Sequence, residues 1–152
     1  MSILLAVHVV AGILFVGPVA VTTSLFPRFV PLASSDSSGT AADTGERNVA
    51  AARVLARVTH VYGTLALIVP AAGLVLAGLQ DRLTEVWVVI AMVLTAVAGA
   101  LLVLRITPAQ QDALAAPATP DAMRTMRMLV GVFNLLWVTV VVLMIVRPGA
   151  DR

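Results

Sequence analysis

His8 and His60 are the only histidines in the chain, and there is no cysteine beside them. Thiolate metal sites, disulfides and cysteine nucleophiles are thereby excluded. His8 stands in a run with no charged residue before Arg28. A neutral imidazole there can ligate haem iron or another metal, or relay a proton. Equally, it can bond a backbone carbonyl or a hydroxyl on a neighbouring helix and do no more. Met92 lies at about the same expected depth and offers the second axial ligand of a His/Met haem, although methionine in an apolar run also serves as packing.

Arg53, Arg57, His60 and Thr64 follow at spacings of four, three and four, which sets them on one helical stripe. Arg124, Arg127, Gly131 and Asn134 make a comparable stripe further along. If the two stripes face each other, they form a basic, hydrogen-bonding mouth suited to haem propionates, an anionic lipid or another carboxylate. Taken separately, the arginines reach lipid headgroups and set topology. One interhelical bond would satisfy the Asn134 amide without a ligand. His8 and His60 fall near opposite membrane faces by helix-rise counting, which disfavours a bis-His haem.

These groups must be held by membrane helices. Apolar residues make up 60% of the 152 positions and charged ones 12%. Four runs, residues 3–26, 58–79, 86–104 and 128–146, are long enough to cross a hydrocarbon core of ~30 Å, which takes about 20 helical residues. They lack the apolar/polar alternation of barrel strands. The first is read as a retained span, because no basic leader or cleavage pattern accompanies it. None of the four contains Asp or Glu, which argues against a pump built on a buried carboxylate. No phosphate loop, paired-carboxylate site or nucleophilic triad is present, so no catalytic set is complete; if the chain is an enzyme, a membrane oxidoreductase is expected.

The ten basic residues are all arginine. Arg28, Arg47, Arg53 and Arg57 collect between runs one and two, and Arg105, Arg124 and Arg127 between runs three and four. By the positive-inside rule both termini lie outside and the two long connections lie in the cytoplasm. Orientation therefore explains the basic residues better than a nucleic-acid partner. Residues 33–45, without a bulky apolar side chain, are expected to form a flexible loop. Asp43 and Glu46 have the form of a helix cap, from which a second helix should run through Arg47 to Arg57 into the membrane. Pro108, Pro117 and Pro120 are expected to break the chain before Asp121 caps the last helix. Pro18 and Pro70, inside runs one and two, predict kinks in the first hairpin and the chance of a pocket there. Glycines such as Gly12, Gly17, Gly63, Gly73 and Gly99 offer close-packing surfaces. Trp87 and Tyr62 read as interfacial anchors and Trp137 as core.

The segment from His8 through Phe15, Gly17 and Pro18 to Pro27, Arg28 and Phe29 resembles a family of uncharacterised four-span actinobacterial membrane proteins. More distantly it looks like the first helix of the HemJ-type protoporphyrinogen oxidases and the CopD copper-resistance proteins. That resemblance implies a b-type haem held by His8. This chain has Phe15 where a tryptophan is usual in the oxidases, and no lysine at all, so their functional lysine has no counterpart here.

The expectation is a single all-α domain, a four-helix transmembrane bundle of up-and-down topology in the cell membrane. Its leading function is a redox role with haem b or a small ligand. The cofactor-binding candidates are His8, Met92, Arg53, Arg57, His60, Arg124, Arg127 and Asn134, with His8 also the metal ligand. The alternatives are a non-catalytic accessory subunit of a homo-oligomer or larger membrane complex, supported by the abundant small residues, and a small-solute transporter.

Overall fold

The computed structural model describes residues 2–32 and 48–149. Helix α1 (Ser2–Phe29) is continuous through Pro18 and Pro27. Helices α2 (Val49–Ala66) and α3 (Ile68–Leu79) form a second rod with a single interruption at Leu67. Helix α4 (Val86–Leu101) continues through a π-helical segment, Leu102–Ile106, into α5 (Thr107–Ala115). Helix α6 is Pro120–Val146. The resulting stretches Ile3–Phe29, Val49–Leu79, Val86–Ala115 and Pro120–Val146 are each long and apolar enough to cross a membrane. The chain is thus a multi-pass membrane protein of the all-α class, with no named strand among the described residues.

The packing order follows from which rods touch. Span one (α1) lies against span two (α2 and α3) and span four (α6), while span three (α4 and α5) lies against spans four and two. Consecutive spans are therefore neighbours, as in an up-and-down bundle, and spans one and three are diagonal. The start of α1, the end of α6 and the turn at residues 80–85 share one end, called here the terminal end; the end of α1, the start of α2 and residues 116–119 share the other, called the arginine end. The core clusters towards the arginine end, with Val19, Phe26 and Val30 of the first rod against Ala52, Ala98, Leu102, Ile106, Met126 and Phe133.

Each rod ends for an identifiable reason. Asn48 caps α2, its Oδ1 accepting from the Ala50 and Ala51 amides at 2.8 and 3.3 Å. The expected cap at Asp43 and Glu46, the start at Arg47 and the loop at 33–45 lie outside the described residues. Thr119, and not Asp121, caps α6: its hydroxyl accepts from the Ala122 amide at 3.2 Å, Pro120 occupies the first turn, and Asp121 sits behind it as a first-turn acid. Pro108 does not break the third rod as expected. The wider π turn just before it lets the Thr107 amide reach back to the Leu102 carbonyl. That turn eases the clash a proline ring makes with the carbonyl four residues earlier, so the rod carries on to Ala115. At the arginine end the Ala118 amide donates to the Pro31 carbonyl at 3.1 Å, tying the two connections together. At the terminal end Arg147 lies 6.0 Å from the Trp87 ring centre, and the Trp87 indole donates to the Glu85 carboxylate.

Candidate functional site

His8 is buried, 8% exposed, on the side of α1 that meets α3. A Cβ built on Gly73 would stand 2.8 Å from His8 Cε1, so the imidazole occupies the place of a missing side chain. One turn along, the exchange is reciprocal: a Cβ on Gly12 would meet Val69 Cγ1 at 3.8 Å. His8 and Gly12 on one helix thus interlock with Gly73 and Val69 on the other, each pair four residues apart. The Val69 backbone lies beside the ring, outside hydrogen-bond geometry with Nδ1, which is buried and has no partner. His8 thus packs on Gly73, and its Nδ1 has neither a ligand nor the interhelical hydrogen-bond partner expected of it.

The other sequence candidates do not gather around it. Met92 is 45% exposed on α4, in the span diagonal to that of His8, so the His/Met pair is not brought together. Arg53, Arg57, His60 and Thr64 do share one face of α2, but all four are exposed. The seam on that helix is taken by Ala52, Ala56, Thr59 and Tyr62 instead. Arg124, Arg127 and Gly131 are likewise exposed on α6, opposite the buried Met123, Met126, Val130 and Phe133. The two stripes point outwards from diagonal spans, and the expected basic mouth does not form between them. The cause is the surplus of apolar and small side chains, which take the seam and leave the charged groups outside. Asn134 does turn inwards: its Nδ2 donates to Ser24 Oγ at 3.1 Å, an interhelical bond from span four to span one. Its Oδ1 is buried without a partner.

A polar cluster that the sequence reading passed over lies in the core near the arginine end. Thr22 and Thr59 hydroxyls are 2.8 Å apart across spans one and two, and both residues are buried. Gln110, 1% exposed on α5, extends its Nε2 to Thr59 Oγ at 3.5 Å, while its Oε1 is buried without a partner. Thr22, Thr23 and Ser24 each donate to a carbonyl one turn back on α1, at 2.8, 2.7 and 2.6 Å. The run of three hydroxyl residues was the available signal for this cluster; Gln110 was concealed because Pro108 suggested a loop.

At mid-height, the interruption of span two coincides with an apolar crevice. Pro70 has no N–H for the Ala66 carbonyl, and the rod breaks at Leu67, whose amide bonds the Thr64 carbonyl at 3.2 Å. Ala66, Leu67 and Pro70 line the crevice on one side and Thr95, Gly99 and Val103 on the other, with Phe133 and Trp137 beneath. The crevice is open on one side and has a cavity volume of about 40 Å³. The Phe133 and Trp137 rings meet edge to face at 6.3 Å, and Trp137 Nε1 is buried without an acceptor.

The chain matches no known family model, curated protein or solved structure in these comparisons. For the haem that the span-one resemblance implies, the residues of this chain supply one buried, uncommitted imidazole nitrogen. Among the described residues the His8 ring is seated on Gly73, and the mid-height crevice offers about 40 Å³ against ~300–1,000 Å³ for ligand pockets. A haem on His8 would require α1 and α3 to part.

Proposed function

We propose that this protein is a non-catalytic subunit of the cell membrane, with both termini outside, which associates through its outward helix faces with another membrane protein or a second copy of itself. The observation that carries this reading is where the association-prone residues lie. Gly17 on α1, Gly131 on α6, and His60 and Thr64 on α2 are exposed on the outer faces of their spans. Lipid tails gain nothing from such residues, whereas helix–helix contacts in membranes are built from small side chains and hydrogen-bonding groups. No span buries more than 22% of its most apolar window within the chain, so ample surface is left to be covered.

Gly131→Leu and Gly17→Leu test the reading cleanly, because a Cβ at either position meets nothing within 4 Å inside the chain. The expected result is an unchanged thermal midpoint with a shift from assembled to single chains, seen by single-molecule photobleaching in native-membrane particles. A wild-type protein that is already solitary there would refute the proposal.

A second reading, a redox protein with haem b on His8, is supported by the buried Nδ1 without a partner. Its test is the oxidised and dithionite-reduced visible spectrum of the protein expressed with haem precursor. A Soret band abolished by His8→Ala supports this reading, and a colourless wild-type protein counts against it.

A further inference from the structure

We propose that the outer side of α2 binds the headgroup of an anionic phospholipid, with the Arg53 and Arg57 guanidiniums on its phosphate and the His60 imidazole on an ester carbonyl below it. The inference does not depend on the assembly reading, since a single chain can hold a lipid on this face.

Charge is the first consideration. Arg53, Arg57 and His60 are exposed along one side of α2. At a rise of ~1.5 Å per residue the two arginines stand about 6 Å apart along the axis, and His60 about 4–5 Å beyond them. Neither α2 nor α3 contains an acidic residue. The one ion pair among the described residues joins Arg82 to Glu85 at the terminal end, so within that part of the chain nothing neutralises Arg53 or Arg57. Guanidinium forks match phosphate oxygens in pairs, and such charge-assisted bonds are about twice as strong as neutral ones. A headgroup that carries an ammonium of its own would bring like charge beside them, which favours a phosphodiester with an uncharged alcohol.

Depth selects a lipid over a soluble anion. Arg57 immediately precedes the apolar run that begins at Val58, and His60 lies inside that run. The arginines therefore stand at the level of the headgroups and the imidazole at the level of the glycerol ester carbonyls. An imidazole carries an N–H donor whether neutral or charged. Thr64, one turn deeper, gives its hydroxyl to the His60 carbonyl at 2.9 Å, which leaves the imidazole as the donor for a ligand at this level. Further in, the same side of span two continues through Leu67, Ile68 and Ala71, exposed and apolar, against which acyl chains would lie. The stripe on α6 is less suited. There Asp121 stands three residues before Arg124 and offsets its charge, and Asn134, the next side-chain donor after Arg127, is bonded to Ser24.

The test titrates the full chain in detergent micelles with dioleoyl phosphatidylglycerol or dioleoyl phosphatidylcholine, and counts bound lipids by native mass spectrometry. Phosphatidylglycerol should bind several-fold more tightly than phosphatidylcholine. The double variant Arg53→Gln/Arg57→Gln should weaken phosphatidylglycerol binding by about 30-fold, the effect of two interfacial arginines. Should that variant fold poorly, each single substitution, about 5-fold weaker, carries the test. His60→Leu should cost about 3-fold, as one neutral hydrogen bond does. Arg124→Gln/Arg127→Gln, which changes the net charge equally, should have much the smaller effect. Equal affinity for the two lipids, or equal loss in the two double variants, overturns the proposal. Displacement of bound phosphatidylglycerol by glycerol phosphate overturns it too, and assigns the arginines to a soluble phosphate.

Discussion

Replacing Gly73 with alanine should reveal how tightly His8 is held between α1 and α3. The new methyl would stand 2.8 Å from His8 Cε1 and 3.5 Å from both ring nitrogens. Carbon–carbon contacts settle at ~3.5–4.0 Å, so the ring has to withdraw by about 1 Å from a site where it is 8% exposed. Overpacking of this kind costs ~1–3 kcal/mol. Alanine offsets part of that, because it is favoured over glycine in a helix by ~1 kcal/mol. The net loss for Gly73→Ala is therefore about 0–2 kcal/mol. In a His8→Ala background the obstacle is gone, and the same substitution should be neutral or stabilising by up to about 1 kcal/mol. The quantity that decides is the coupling in the double-mutant cycle, ~1–3 kcal/mol, read from reversible unfolding in bicelles. Equal effects of Gly73→Ala in the two backgrounds would refute the interlock.

Other perturbations have equally definite outcomes. Thr59→Val leaves the Gln110 amide without its buried partner, and should cost about 1–3 kcal/mol in the same unfolding assay, with Thr59→Ser recovering most of it. Asn134→Leu removes the bond to Ser24 but also an oxygen that is buried without a partner, so its cost should stay within ~1 kcal/mol. Because the chain has no cysteine, single-cysteine labelling gives the topology directly. A membrane-impermeant maleimide applied from outside should label Leu83→Cys and not Ala116→Cys, as the positive-inside rule requires.

The four rods were legible because apolar length alone identifies a membrane helix, and their up-and-down order because most of the connections between them are short. The seam was not. In α1 nearly every side chain is apolar, so nothing in its periodicity distinguishes Val19 in the core from Ile13 on the outside. The arginine stripes were correctly placed on single helical faces, yet a stripe says nothing about whether it faces a neighbour or lipid. Here Ala52 and Thr59 took the inner face of α2, and Arg53 and His60 were left outside. Pro108 misled because the usual penalty for an internal proline supposes an α-helical turn, which the π turn at Leu102–Ile106 replaces. His8 was correctly read as the unusual residue of its span, but its partner is the absence of a side chain at Gly73, which only the packed structure reveals.

The assembly proposed for this protein is tested most directly by extracting it from its native membrane in detergent-free polymer particles and measuring the protein mass in each particle. The account predicts particles holding more than one chain, either several copies of this 15.8 kDa protein or one with a defined larger partner, and their dissociation in Gly131→Leu. Particles holding a single 15.8 kDa chain and lipid alone would contradict it.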